Sequence, residues 1–178
     1  MPRKAKTEKP SRIGPIVSSA HLATGASPAM SEVEFGLILA QHAFGRWMVR
    51  GMAAAGVAGL APLDVMVLHT VNHRDRPKKL ADICLVLNVE DTHTVTYAIR
   101  KLETLKLVSS GRSGKEKVVK VTPAGEAVCA RYAAVREELL VKAVRATGPA
   151  EPTLSELAAF LRALSGHYDQ AARAATSL

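Results

Sequence analysis

The sequence predicts a mainly α-helical fold with a small β-hairpin. Apolar residues recur at the spacing of an amphipathic α-helix in a series of segments from residue 31 onward. Strand-like valine spacing occurs in "LVSSG" and "KVVKVT", and the intervening "RSGKE" contains the glycine that a hairpin turn needs. A chain of 178 residues with 48% hydrophobic residues is long enough for one compact domain with its own core.

The N-terminal segment, residues 1–30, is predicted to be a flexible basic arm. It contains a single acidic residue, Glu8, and its cationic residues are Arg3, Lys4, Lys6, Lys9 and Arg12. Ser, Gly and Pro separate short apolar pieces that bury too little surface to fold alone. Residues 31–178 form the predicted domain.

A helix that runs to about residue 55 begins this domain. Ser31, followed three residues later by Glu34, has the pattern of a capping box. The apolar residues at helical spacing are Phe35, Ile38, Leu39, Phe44, Trp47 and Met48. Gly56 and Gly59 are expected to end the helix.

Three helices joined by short turns follow. Pro62 suits the first turn of the helix "PLDVMVLHTVNH", which the loop "RDRPKK" ends. The short helix "LADICLVL" precedes Asn88, a residue that tolerates the left-handed conformation of a tight turn. Asp91 is the expected cap of a helix at about 91–105, whose inward stripe comprises Val95, Ile99, Leu102 and Leu105.

Helices are also predicted beyond the hairpin. Pro123 begins a long helix with one apolar face, made of Val128, Tyr132, Val135 and Leu139, until "TGPAEP" interrupts it. A last helix is expected from Thr153, with Glu156 completing a capping box.

The outer face of the helix at 91–105 is polar, aromatic and cationic. It contains no acid before Glu103, whereas a solvated helix face usually mixes both signs. Hydroxyl and imidazole groups hydrogen-bond to phosphates and base edges, and arginine contacts guanine in the major groove through two hydrogen bonds. The candidate DNA contacts on this helix are Thr92, His93, Thr94, Thr96, Tyr97, Arg100 and Lys101.

The hairpin continues this positive charge. Helix, helix, turn, outward-facing helix and cationic hairpin is the order of a winged helix-turn-helix, with a DNA-binding core at about 62–122. The helix at 91–105 would enter the major groove. The hairpin at about 107–122 would be the wing, which holds the backbone or minor groove through Arg112, Lys115 and Lys117.

From about Phe35 to Leu164 the chain resembles the MarR family of bacterial transcriptional regulators. The likeness rests on "LDVMVLHTVNH", "LADICLVLN", "HTVTYAIRKLETLKLV" and "KVVKVTPAGEAV", in this order, and the junction 121–125 is its most characteristic part. The resemblance implies a homodimer on double-stranded DNA, with dimerisation helices at both ends. The chain departs from the family where Lys106 replaces the usual glycine, and the wing base lacks the frequent Asp-x-Arg.

Two other classes of function remain open. A winged helix can serve as a protein-interaction module, with the same hairpin binding an acidic partner instead of DNA. A small enzyme is the third class, but the sequence contains no Walker loop, GxSxG or GxGxxG motif. We therefore predict a binding protein that is not an enzyme and needs no cofactor.

The family resemblance also implies an effector pocket for a small aromatic molecule. Its candidate lining residues are Phe35, Phe44, Trp47, Met48 and His69. Core or dimer packing is the alternative interpretation of the same spacing. His69 and His73 are four residues apart, but no compact set of ligands accompanies them, so no metal site is predicted.

Net charge and cysteine content indicate the type of binding partner and the cellular compartment. A net charge of +8 and a pI near 9.8 attract polyanions, of which nucleic acid is one. Cys84 and Cys129 are too few for a disulfide framework and are interpreted as small packed side chains. Since no signal peptide or membrane span is apparent, a cytoplasmic protein without membrane association is expected.

Overall fold

The computed structural model describes residues 27–74, 76–114 and 116–178. Its elements in chain order are α1 (Pro28–Ala54), α2 (Pro62–Asn72), β1 (Lys78–Lys79), α3 (Leu80–Leu87), α4 (Thr92–Thr104), β2 (Val108–Ser113), β3 (Glu116–Val121), α5 (Pro123–Arg136), a π-helical turn (Glu137–Val141), α6 (Lys142–Thr147) and α7 (Glu151–Ala175). The predicted arm at 1–30 lies outside the described residues up to residue 26, and so does Lys115.

The predicted fold class is confirmed, because helices and one small antiparallel sheet make up the described chain. The sheet has the strand order β1-β3-β2. In the hairpin, Val108 pairs with Val121 and Ser113 pairs with Glu116. Strand β1 was not predicted, and it adds to the hairpin by pairing Lys78 with Val119.

The chain divides into two compact units, Met1–Met48 and Val49–Leu178. In the first unit, α1 begins at Pro28, three residues before the predicted start at Ser31. Proline suits a first helical turn because its fixed φ is helical and its missing N–H needs no partner there. The predicted end of this helix is confirmed in the second unit, where Gly56 takes a φ of 97°.

The second unit has its core where α2, α4 and α5 meet and where α3 packs against α2 and α4. Its largest fully buried side chains include Met52, Leu68, Ile83 and Leu102. The inward stripe predicted for α4 is confirmed at Val95, Ile99 and Leu102. The prediction was wrong at Leu105, which follows the end of α4 and is 42% exposed.

Two turns hold α4 between its neighbours. Asn88 ends α3 with a φ of 51°, as its left-handed tolerance predicted. Lys106, which stands where the family usually has glycine, takes a φ of 59°. A lysine in this conformation is strained because its Cβ crowds the backbone.

The junction between β3 and α5 is tightly packed around Gly125. An ideal Cβ built on Gly125 would lie 2.1 Å from the carbonyl oxygen of Leu107 and 2.8 Å from Cγ2 of Val121. The hydroxyl of Thr122 accepts the Gly125 N–H at 3.1 Å and donates to the Lys106 carbonyl at 2.7 Å. The motif Thr-Pro-Ala-Gly therefore joins the wing to α5 by a cap and a contact that only glycine allows.

Two predictions for the C-terminal helices were wrong. The helix that begins at Pro123 passes through a π turn, and Leu139 within it is 62% exposed rather than on the buried face of Val128 and Tyr132. The last helix begins at Glu151, before the predicted start at Thr153, because Pro152 fits its first turn.

Candidate nucleic-acid interface

Helix α4 presents its polar side to solvent, as the sequence predicted. Asp91 caps the helix, since its Oδ1 accepts the N–H of His93 at 2.8 Å. Opposite the buried stripe, His93 and Arg100 are exposed, and the side chain of Tyr97 is 71% exposed. These three residues bring an imidazole, a phenol and a guanidinium to one outer face of α4.

Three of the four threonines of α4 donate their hydroxyl protons to backbone carbonyls of the preceding turn. Thr94 donates to the Asp91 carbonyl at 2.7 Å, Thr96 to the Thr92 carbonyl at 2.8 Å, and Thr104 to the Arg100 carbonyl at 3.0 Å. Threonine commonly bonds back to the preceding helical turn in this way. Their contribution to an outer surface is therefore a methyl group and oxygen lone pairs, rather than the proton donors expected from the sequence.

Lys101 differs from the other candidate residues of α4. Its ammonium lies 2.7 Å from Oδ2 of Asp64, a carboxylate whose side chain is only 5% exposed. The same oxygen accepts the N–H of Ala61 at 2.7 Å, at the start of α2. This ion pair was missed because Asp64 and Lys101 are distant in sequence, and an aspartate near a helix start is adequately explained as a capping residue.

The wing is a short, exposed and cationic hairpin. Arg112 and Lys117 are paired across β2 and β3 and are both exposed, and Gly114 takes a φ of 62° at the turn. Glu116 forms an ion pair with Lys79 of β1, and this hydrogen bond is the largest cause of the raised pKa of Lys79. Because that pair neutralises the acid of the wing, the cations of β2 and β3 set its potential.

The candidate effector residues lie in both compact units. In the first unit, Phe44 is 55% exposed, Phe35 and Trp47 are partly buried, and Met48 is buried. In the second unit, His69 is at a cavity of 630 Å³ that the C-terminal end of α2, the loop after it and α3 enclose. The five residues therefore stay a predicted set.

His69 is the most unusual group at this cavity. Its Nε2 is buried and has no hydrogen-bond partner among the described residues, and burial lowers its pKa. The ring packs against Tyr132 of α5, with centroids 4.8 Å apart and planes tilted by 58°. Arg74, Arg76 and Lys78 contribute positive charge to the cavity wall, and Asp82 contributes a carboxylate.

The described part of the chain offers neither a cluster of metal ligands nor an exposed cysteine thiol. No group of three or more metal-ligating side chains occurs there. Cys84 and Cys129 are free and buried, and desolvation raises the pKa of Cys129 to about 11. Within the described residues, none of the helices has the length and apolar character needed to cross a membrane.

Comparisons with known proteins identify the domain. Residues 60–125 match the family model of a winged helix DNA-binding domain. No curated protein sequence gave a significant match. The chain is similar to the transcriptional regulator BldR from Sulfolobus solfataricus, with 19% identity, a TM-score of 0.60, and coverage of 77% of this chain and 99% of that one.

Two further solved structures are similar. One is a MarR-family transcriptional regulator from Silicibacter pomeroyi, with 18% identity, a TM-score of 0.59 and coverage of 76% of this chain and 88% of that one. The other is CouR from Rhodococcus jostii bound to p-coumaroyl-CoA, with 13% identity, a TM-score of 0.59 and coverage of 74% and 90%. The chain thus has a winged helix domain and the fold of MarR-family regulators, which confirms the predicted resemblance at the level of the fold.

Proposed function

We propose that this protein is a MarR-type transcriptional regulator that binds specific double-stranded DNA as a homodimer. Helix α4 enters the major groove, and the hairpin β2–β3 contacts the backbone or the adjacent minor groove. The observation that carries this proposal is the exposed donor face of α4, followed directly by an exposed cationic wing, in a winged helix domain.

The side chains of α4 are suited to base recognition. Arg100 can make two hydrogen bonds with guanine, and His93 and Tyr97 supply further donors beside it. The methyl groups of Thr96 and Thr104 match the apolar contact that distinguishes thymine, because their hydroxyl protons are engaged with the helix backbone. Thr92 and Thr94, at the helix start, lie where backbone phosphates approach.

The wing is suited to phosphates rather than bases. Arg112 and Lys117 are directly opposite each other in the hairpin register, and Lys115 is the third predicted cation of this segment. Each cation that neutralises a phosphate releases a counterion, so its loss should reduce the salt dependence of binding by about one logarithmic unit. Both specific and non-specific duplexes should be affected equally.

Homodimer formation rests on exposed apolar residues at both ends of the chain. Helix α1 exposes Ile38, Leu39 and Phe44, and α7 exposes Leu157, Phe160 and Leu161, each between 38% and 55%. Exposed large apolar side chains are typical of protein interfaces, and the three on α7 share one helix face at i, i+3 and i+4 spacing. Sedimentation equilibrium should give a dimer at micromolar concentration, and a folded monomer there would contradict this assembly.

A small organic acid is the effector that we propose for the cavity at His69. Its positive wall attracts a carboxylate, and its volume of 630 Å³ suits a drug-sized molecule. The Nε2 of His69 has no hydrogen-bond partner among the described residues. CouR, which shares the fold, was solved with the aromatic thioester p-coumaroyl-CoA bound. Calorimetric titration with a set of aromatic carboxylates should find a ligand whose affinity drops in His69→Phe.

The deciding experiment is selection of bound sequences from random duplex DNA. A two-fold symmetric site should be enriched, which would establish specificity and dimeric binding together. Arg100→Ala should then reduce discrimination at one base pair of each half-site by about 1–3 kcal/mol. Arg162→Ala, which removes an exposed arginine of α7, is the matched control and should leave the preference unchanged.

Failure of this selection favours the alternative function. If the protein enriches no sequence but binds acidic peptides through Arg112 and Lys117, the winged helix is a protein-interaction module. If neither is bound, the proposed role of the wing is wrong.

A further inference from the structure

The contact between Asp64 and Lys101 joins the two helices on which DNA recognition depends. Asp64 lies in the first turn of α2, and Lys101 lies in the C-terminal half of α4. One carboxylate oxygen of Asp64 receives both the Lys101 ammonium and the Ala61 N–H, each at 2.7 Å. The Ala61 hydrogen bond fixes this nearly fully buried carboxylate at the start of α2, and the Lys101 hydrogen bond holds α4 against it.

The position of Lys101 on α4 differs from that of Arg100. Successive helical residues are rotated by about 100°, so Lys101 lies on the flank of the outer face that Arg100 occupies. The exposure of its side chain is 33%, and its ammonium is directed to Asp64. If Lys101 extended away from α2 toward a phosphate, it would leave Asp64 buried without a counter-ion, which is strongly unfavourable.

We propose that Lys101 is a positioning residue for DNA recognition: its ion pair with Asp64 fixes α4 on α2, and it does not itself contact DNA. The inference rests on the proposed function, which it deepens by removing one residue from the predicted contact set. The base-contacting residues of α4 are then presented at an orientation that Asp64 helps to define. A small rotation of α4 would misalign them together.

The two roles predict different salt dependence. A lysine on a phosphate releases a counterion, so its replacement reduces the slope of log Kd against log salt by about one unit. A positioning lysine releases none, so its replacement leaves the slope unchanged. It instead lowers the ratio of specific to non-specific affinity, because misaligned base contacts are lost while phosphate contacts persist.

The test uses the full chain as parent and as four variants, Lys101→Met, Lys101→Arg, Asp64→Asn and the double variant Asp64→Asn with Lys101→Met. Affinity is measured at several salt concentrations on a duplex selected by the parent and on a scrambled duplex. Lys142→Met is the matched control, because it breaks an exposed lysine–glutamate pair on α6. Thermal unfolding of each variant identifies those that fail to fold.

Lys101→Met should lower the ratio of specific to non-specific affinity about tenfold or more, with an unchanged salt slope. Asp64→Asn should lower the ratio as well, although it touches no DNA. The double variant should recover part of the loss, since it leaves no buried charge unpaired. Lys101→Arg and Lys142→Met should stay within about threefold of the parent.

Opposite results would overturn the inference. If Lys101→Met lowers the slope by one unit and preserves the specificity ratio, Lys101 contacts a phosphate. If Lys101→Met does not fold, the Asp64→Asn variant provides the test. A ratio of specific to non-specific affinity in Asp64→Asn that equals or exceeds that of the parent contradicts the positioning role. If the parent protein binds no duplex, the proposed function itself is contradicted. If the parent binds, the variants test the positioning role of Lys101 separately from the proposed function.

Discussion

Replacing Gly125 with alanine should destabilise the protein through a backbone clash that no side-chain movement relieves. The new Cβ would lie 2.1 Å from the Leu107 carbonyl oxygen, whereas carbon and oxygen normally approach to about 3.3 Å. The junction must open by roughly 1 Å, because the obstructing atom is backbone. This movement strains the hydrogen bond from the Thr122 N–H to the same oxygen, now 3.0 Å long.

The magnitude follows from three contributions. Overpacking costs about 1–3 kcal/mol, and the weakened hydrogen bond costs about 1 kcal/mol. The better helix propensity of alanine returns about 0.5–1 kcal/mol. A net loss of about 1–3.5 kcal/mol corresponds to a fall in Tm of roughly 2–14 °C for a chain of this length.

The assay is thermal unfolding followed by circular dichroism at one protein concentration. Gly111→Ala is the matched control, because no atom of the described residues lies within 4 Å of a Cβ at Gly111 in the wing. Its Tm should equal that of the parent within about 2 °C. A Gly125→Ala protein with the Tm of the parent would refute the reasoning, since the junction would then be able to open without cost.

Three further predictions concern backbone strain at Lys106, the protonation of His69 and the reactivity of the Cys129 thiol. Lys106→Gly should stabilise the protein by about 1 kcal/mol in urea unfolding, because Lys106 holds a φ of 59°; an unchanged midpoint would count against strain there. Burial lowers the pKa of His69 below its ordinary value of 6.5. As the pH falls, His69 is therefore protonated in the unfolded chain before it is protonated in the folded protein, and the free energy of unfolding should decrease from pH 7 to pH 5. His69→Phe should flatten that fall, whereas an equally steep loss would assign it to other groups. Cys129, whose pKa is raised to about 11, should resist iodoacetamide at pH 7.5 in the folded protein but react in urea, and rapid labelling when folded would disprove its burial.

The order of elements could be predicted because local signals agree with the tertiary structure. Helix α3 was predicted in full at 80–87, since Asn88 supplies the left-handed turn that ends it. Asp91 marks the start of α4 in the same way, through a side chain that bonds within its own turn. Such short-range chemistry is visible in the sequence alone.

Long-range pairing explains what could not be predicted. Strand β1 is two lysines, which carry no strand pattern and become a strand only because β3 offers them an open edge. Lys101 was assigned to the DNA contacts with the other residues of the outer face, since its pairing with Asp64 depends on how α2 and α4 pack. The polar helix face and the hairpin were thus predictable from the sequence, but the ion pair that engages Lys101 was not.

The π-helical turn at Glu137–Val141 sets the rotational phase of α6, which continues directly from it. A π turn holds about one residue more than an α turn, so side chains beyond it are rotated by about 100° relative to an uninterrupted α-helix. Deleting one residue there would restore continuous α-helical phase and turn α6 about its axis by that angle, an effect that no point substitution reproduces. Under the proposed assembly, such a deletion would reorient the apolar face of α7 and so impair homodimer formation. Helix α4 and the wing would keep their own structure.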